Sequence, residues 1–243
     1  MRSNFRVSFI SISLVFILLP VISEGWGKKL VKTKVACIGD SITFGARLED
    51  RDNYSYPAQL QKLLGDNFSV GNFGIGGCTL IRKGKPNVWT QLAKIMETNP
   101  DIIIISLGTN DTCGGTRACW DHKNDFPNDY RDLIDTLRTI PSKPQIFLCA
   151  PSPMVIETPG LDSSRIADLK ERQPRLQELI SIIKNLAVEK RTKFVDLNTP
   201  MANKPELFTE RDGVHPNIAG YCFIAELVFD AIRQSNALEI RKK

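Results

Sequence analysis

Asp101–Ile102–Ile103–Ile104–Ile105–Ser106–Leu107, followed at once by Gly108–Thr109–Asn110–Asp111, is the stretch that decides the expected fold. Successive side chains of a strand point to opposite faces, so four isoleucines in a row leave no face for water. A run of this kind suits a central strand of a parallel sheet, covered on both sides. Outward from it, Lys34–Ile38, Phe68–Phe73, Gln145–Ala150 and Lys193–Leu197 are short apolar runs of the same type, giving five strands. Helical patterns lie between them. Pro57–Leu64 begins with a proline and ends before Gly65, and Val88–Glu97 carries Trp89, Leu92, Ala93 and Met96 at helical spacing. Tyr130, Leu133, Ile134 and Leu137 repeat at i, i+3, i+4 and i+7, and Leu176, Leu179, Ile180, Ile183 and Ala187 do so from Arg175 onward. A closing helix starts at Pro216 and frays near Ser235. Residues 154–174 carry loop signals, with Pro159–Gly160 breaking the chain and Pro174 expected to interrupt any helix entering from Ser164.

Strands alternating with helices throughout predict an α/β fold: three layers, α/β/α, around a five-stranded parallel sheet. In such a sheet the ligand site lies beyond the carboxyl ends of the strands. Gly39–Asp40–Ser41, Gly74–Gly77 and Gly108–Asp111 each follow a strand directly, and Asp212–His215 comes after the fifth strand and before the last helix.

The chain has 243 residues, 42% of them hydrophobic and 24% charged, enough for one well-cored domain. Arg2 and Arg6 open a basic start, Val7 to Leu19 is apolar apart from serines, and Pro20–Ser23 offers small residues for cleavage. Residues 1–23 therefore read as a signal peptide, predicting a secreted or periplasmic protein with a single domain over 24–243. No second apolar run approaches membrane-spanning length, so no stable membrane insertion is expected after cleavage. Loss of that segment removes two arginines and no acids, lowering the net charge from +5 to +3, too mild to argue for nucleic acid.

Six cysteines in an exported chain invite a disulfide reading. Cys113 and Cys119 share one Gly-rich loop and are expected to be able to bridge, whereas Cys37 and Cys149 lie in apolar runs as buried thiols. No pair has the short-spaced Cys/His pattern of a structural zinc site.

A serine at a strand end needs a base before its hydroxyl is a nucleophile. The chain has two histidines. His122 neighbours Asp121 in a polar loop, where adjacent side chains diverge. His215 has Asp212 three positions upstream, a separation that a turn can close, so Ser41, His215 and Asp212 are the candidate nucleophile, base and orienting carboxylate. Asp212–His215 also fits a helix-capping turn. Donors for a developing oxyanion are the Ser41 and Gly77 N–H groups and the Asn110 amide.

These residues carry a family resemblance. The chain resembles the GDSL/SGNH hydrolases through Gly39–Asp40–Ser41–Ile42, Asn72–Phe73–Gly74–Ile75–Gly76–Gly77, Gly108–Thr109–Asn110–Asp111 and Asp212–Gly213–Val214–His215–Pro216, in that order. Ile42 stands where the family's name has leucine. The ordinary Gly-x-Ser-x-Gly elbow is absent, position 43 being Thr43. The resemblance implies a flavodoxin-like sheet and ester hydrolysis without metal or cofactor, with Ser41, Asp212 and His215 catalytic and Ser41, Gly77 and Asn110 forming the oxyanion hole.

The substrate is left open between a carbohydrate O-acetyl ester, a lysophospholipid or thioester, and a non-catalytic glycan-binding role. Polar stretches 47–56 and 112–126, with Tyr54, Trp120 and His122, suit a sugar better than a long acyl chain. Asp40, Tyr54, Trp120 and His122 are therefore the candidate substrate contacts, and similarity to carbohydrate O-acetylesterase-like members of the family points the same way.

Overall fold

Ile102 and Ile104 face one side of the sheet and Ile103 and Ile105 the other, and all four are fully buried in the computed structural model, which describes residues 31–235. Burying each such side chain contributes roughly 1.5–3 kcal/mol, so this strand alone demands a helical layer on both faces. The chain supplies them in order: β1 (Thr33–Gly39), α1 (Ser41–Phe44), α2 (Arg51–Tyr54), α3 (Tyr56–Leu64), β2 (Phe68–Gly74), α4 (Leu92–Glu97), β3 (Ile102–Ser106), α5 (Phe126–Leu137), β4 (Gln145–Ala150), α6 (Ser163–Glu189), β5 (Lys193–Asp196) and α7 (Ile218–Gln234). The sheet order is β2-β1-β3-β4-β5, every pair parallel. Leu60 of α3 and Tyr221, Ile224, Val228 and Ile232 of α7 pack with Val35, Cys37, Ile102 and Ile104. Ile95 of α4, Tyr130, Leu133 and Leu137 of α5 and Ile183 of α6 pack with Ala36, Ile38, Ile103 and Ile105. The expected five-stranded, three-layer architecture is what the chain adopts.

Three local expectations change. The first is Pro174, which lies inside the single helix α6 rather than ending one. It is exposed, as is Lys170, whose carbonyl its ring deprives of a partner, while Leu169, Arg172 and Leu176 on the opposite side are buried and hold the helix through it. The second is Val88–Glu97, which divides into a 3-10 turn, Val88–Gln91, and α4. The third is the loop 47–56, which contains α2, capped by Asp50 through the Asn53 N–H. The predicted signal segment 1–23 lies outside the described residues.

The order β2-β1-β3 means the chain turns back after β2, and the crevice at the carboxyl ends of β1 and β3 is the switch point where open α/β sheets bind ligands. Packing there is very close. A Cβ on Gly74, the last residue of β2, would stand 2.1 Å from the Phe44 backbone nitrogen, and one on Gly39 would stand 2.0 Å from Thr43 Oγ1 and 2.7 Å from the Ser106 carbonyl oxygen. Only glycine lets α1 cross the strand ends at this distance. Gly74→Ala, whose clash is with backbone and has no rotamer escape, is expected to destabilise the protein by more than about 2 kcal/mol in urea unfolding; an unchanged unfolding midpoint would show that α1 is not so constrained.

Candidate active site

Asp40 leaves β1 and caps α1, its Oδ1 accepting the Ile42 N–H at 2.8 Å. Ser41 is thereby the first residue of a one-turn helix, half-buried at the carboxyl edge of β1. Asp40 itself is buried, and burial pushes its carboxyl up to about 6. It faces inward as a cap, not outward as the substrate contact expected of it.

The other side of the crevice comes from residues 208–216. This segment folds back on itself, with a Phe208–Pro216 bridge and the Thr209 N–H donating to the His215 carbonyl at 2.9 Å, and is tied down where the Val155 N–H donates to the Gly213 carbonyl at 2.8 Å. Asp212 and His215 meet through a local turn. Asp212 Oδ1 accepts the backbone N–H groups of Val214 at 3.0 Å and His215 at 2.8 Å, and His215 Nδ1 lies 2.9 Å from Oδ2 and 3.0 Å from Oδ1. The helix-capping alternative does not apply, because the cap of α7 is Asn217, whose Oδ1 accepts the Gly220 N–H. On its far side, His215 Nε2 is 2.8 Å from Ser41 Oγ, closing a continuous Ser41–His215–Asp212 chain.

Asp212 is buried and would be driven up by that burial, but hydrogen bonding and charge from His215 with the two backbone N–H groups outweigh it and hold the carboxyl well below the usual carboxylate range. Two arginines attend it: Arg47 Nε donates to Oδ2 at 3.2 Å, and Arg165 Nε donates to the Asp212 backbone carbonyl at 3.0 Å. Arg47 adopts a left-handed backbone, φ 71°, to reach this position. An ionised Asp212 favours the tautomer of His215 with its proton on Nδ1, an arrangement in which Nε2 can accept the proton of Ser41.

Asn110 begins a 3-10 turn, Asn110–Thr112, beyond β3. Its Nδ2 donates to the Cys78 carbonyl at 3.0 Å and lies 3.5 Å from Asp40 Oδ2. Gly77 is half-buried in the turn after β2, with φ 73°, and its carbonyl accepts Arg117 Nη2 at 2.6 Å. Asp111, next to Asn110, is fully buried, and its Oδ1 and Oδ2 accept the Leu80 N–H while Oδ1 also accepts that of Ile81, pinning the loop behind Gly77 to the end of β3. Burial drives the Asp111 carboxyl up to about 7 against these hydrogen bonds.

Ser41, His215 and Asn110 open onto a cleft of about 540 Å³ whose walls also include Thr109, Arg117, Arg165, Asp168, Glu171, Arg172 and Arg175. Arg172 is buried, donating to Thr112 Oγ1 and the Thr109 carbonyl, both at 3.0 Å, and to Asp168 at 3.3 Å. Arg175 donates to the Thr112 carbonyl at 3.0 Å and pairs with Glu171. These side chains staple α6 to the turn that carries Asn110. They escape a reading of the sequence because residues 154–174 carry loop signals, whereas α6 starts at Ser163 and places Arg165, Asp168 and Arg172 on one of its faces.

Tyr54, Trp120 and His122 do not reach this cleft. Tyr54 lines a separate cavity of about 510 Å³ with Arg47, Leu48, Phe208 and Ile218. The Trp120 ring has the Lys123 ammonium at 4.7 Å and the Arg175 guanidinium at 5.4 Å from its centroid, and His122 lies in a 3-10 turn, Trp120–Asp125. Cys113 and Cys119 are free thiols, not a bridge. Their intervening turn, Gly115–Arg117, and a left-handed Ala118 turn the Cys119 thiol onto the Arg117 carbonyl, 3.4 Å away. Cys37, Cys78 and Cys149 are buried thiols as well. Among the described residues, no group of three or more His, Cys, Asp or Glu side chains could hold a metal ion, and no helix is long and apolar enough to cross a membrane.

The model of the GDSL-like lipase/acylhydrolase family matches residues 37–222. An acetylxylan esterase of Xylanibacter ruminicola is 32% identical over 219 residues, covering 82% of this chain and 43% of that protein. A multidomain esterase of Ruminococcus flavefaciens is 28% identical over 227 residues, covering 77% of this chain and 27% of that protein. The chain thus spans less than half the length of these two relatives. Among solved structures, a carbohydrate acetylesterase from Sinorhizobium meliloti superposes with a TM-score of 0.65 at 19% identity, covering 84% of this chain and 100% of its own. An aryl esterase of M. smegmatis gives 0.61 at 20% identity, covering 83% and 99%. With the match running from within β1 into α7, and so across every segment that meets at the crevice, the chain belongs to the GDSL-like lipase/acylhydrolase family.

Proposed function

We propose that this chain is a serine esterase that removes short acyl groups, acetyl foremost, from carbohydrate hydroxyls. The observation that carries the reading is the 2.8 Å contact of Ser41 Oγ with His215 Nε2, continued from Nδ1 to Asp212 at 2.9 Å. Ser41 Oγ attacks the ester carbonyl carbon as its proton passes to Nε2. The carbonyl oxygen gains a negative charge, which the Ser41 and Gly77 N–H groups and the Asn110 amide receive. The tetrahedral adduct collapses, breaking the bond to the sugar oxygen, which leaves with the proton from Nε2. Water, deprotonated by His215, then attacks the acyl-serine, and its collapse releases the acid and restores the Ser41 hydroxyl. Asp212 stays ionised throughout and balances the imidazolium in both half-reactions.

The lining of the cleft supports a short acyl group on a polar alcohol. Its side chains are mainly arginine, threonine, aspartate and glutamate, with Val214 as its aliphatic member, so it offers a long acyl chain little apolar surface to bury. Similarity to an acetylxylan esterase and to a carbohydrate acetylesterase agrees with that choice. The basic start and apolar run of residues 1–23 support action outside the cytoplasm.

A fluorophosphonate probe is expected to label the wild-type protein and neither Ser41→Ala nor the heat-unfolded chain; labelling that survives Ser41→Ala would sink the proposal. Asp212→Asn, which removes the charge that holds the His215 tautomer, should lower kcat by roughly 10³–10⁴-fold in a steady-state assay while the protein stays folded. With p-nitrophenyl esters, kcat/KM should fall from acetyl through butyryl to octanoyl; a rise with chain length would instead favour a lipid ester. Acetate released from acetylated xylan, measured against de-esterified xylan as control, identifies the carbohydrate.

A further inference from the structure

In sequence Arg117 is one polar loop residue among several, yet in the fold it joins the two elements that carry the oxyanion donors. Its Nη1 donates to Asn110 Oδ1 at 2.9 Å and its Nη2 to the Gly77 carbonyl at 2.6 Å. We propose that Arg117 is a positioning residue for the oxyanion hole, one guanidinium fork that fixes the Asn110 amide and the Gly77 turn in register with Ser41. The inference rests on Ser41 being the nucleophile.

Three observations argue for it. A guanidinium can only donate, so the atom of Asn110 that faces Arg117 must be the amide oxygen, and the NH₂ must lie on the opposite side, towards Cys78 and Asp40. The Cys78 carbonyl favours the same orientation from the other end. A reversed amide would present an oxygen to the developing oxyanion and repel it. Next, the Gly77–Cys78 peptide is held at both atoms, its oxygen by Arg117 and its nitrogen through the Cys78 N–H to the Ile75 carbonyl at 3.1 Å. The Gly77 N–H, on the preceding peptide, has no partner among the described residues and is left to donate.

The charge of Arg117 is the third point. Arg165, Arg172 and Arg175 in the same cleft are matched by Asp168 and Glu171, but Arg117 has no carboxylate partner among the described residues. Its positive charge therefore acts through the Asn110 amide that it touches, polarising that NH₂ towards incoming negative charge, while at Gly77 it holds the turn in place. The loop that carries it is fastened in place: the Trp120 N–H donates to the Cys113 carbonyl at 2.9 Å, the Cys113 N–H to the Asn110 carbonyl at 3.1 Å, and Arg175 to the Thr112 carbonyl.

The test is steady-state kinetics on p-nitrophenyl acetate with Arg117→Ala and Arg117→Lys, alone and with Asn110→Ala. Loss of a whole oxyanion donor lowers kcat by about 10²–10³-fold, so weakening two by losing their clamp is expected to cost roughly 10–100-fold. KM should stay within about twofold, as only charge that develops in the transition state is affected. Arg117→Lys, a point charge that cannot span both acceptors, should recover only part of the rate, and millimolar methylguanidine should rescue Arg117→Ala but not wild type. In the Asn110→Ala background Arg117→Ala should cost clearly less than in wild type. An unchanged kcat, a raised KM with kcat intact, or equal cost in both backgrounds would overturn the proposal, the second marking Arg117 as a substrate anchor. If Arg117→Ala does not fold, the Lys variant and its partial rate decide. Activity that persists in Ser41→Ala brings down the esterase reading beneath it; a dead Ser41→Ala beside a fully active Arg117→Ala brings down this proposal alone.

Discussion

The double-sided burial of Ile102–Ile105 governs the architecture of this molecule and, through it, the place of the site. A strand with no wet face needs a helical layer above and below, and helices reach both faces of a sheet only through crossovers, which make neighbouring strands parallel. Parallel strands deliver all their outgoing loops to one edge. The order β2-β1-β3-β4-β5 then opens that edge between β1 and β3, where Ser41 and Asn110 leave the sheet. The chemistry is thus collected by topology before any side chain is chosen for it.

Within that crevice the main device is the use of backbone groups to hold side chains. Asp212 is fixed by N–H groups two and three residues further along its own turn, Asp40 by the start of α1, and Asp111 by Leu80 and Ile81. Their fates differ with their neighbours. Asp212 has His215 and two arginines beside it and stays ionised, whereas burial dominates at Asp40 and Asp111 and pushes both carboxyls up. One residue type at three positions around the strand ends therefore holds its charge beside His215 and is pushed towards the neutral form where it only ties the backbone together.

Segments whose role depends on local chemistry were legible in advance. The turn that brings Asp212 to His215 spans three residues, and the glycines that come after strands are short-range signals. Contacts assigned from loop composition fared worse: Tyr54, Trp120 and His122 are polar-edged aromatics and a histidine in the expected loops, but the paths of those loops carry them away from Ser41. The Cys113–Cys119 loop is short enough for a bridge in sequence, yet its backbone turns the buried thiol onto Arg117. Pro174 misled for a related reason, since its penalty is local while the burial of Leu169 and Leu176 that overrides it is tertiary.

The amino-acid sequence by itself pointed to the α/β layers, the parallel sheet and the sheet edge at which Ser41, Asp212, His215, Gly77 and Asn110 lie, because periodicity and strand-end position are encoded within a few residues of each. Tertiary structure alone decided which arginines serve the site. Arg47, Arg117, Arg165, Arg172 and Arg175 are scattered from the end of α1 to α6, and nothing in their local sequence separates a solvated guanidinium from one that reaches a backbone carbonyl or a carboxylate. Long side chains with several donors act over distances set by how elements pack, so their partners exist only once the sheet edge and α6 have been brought together.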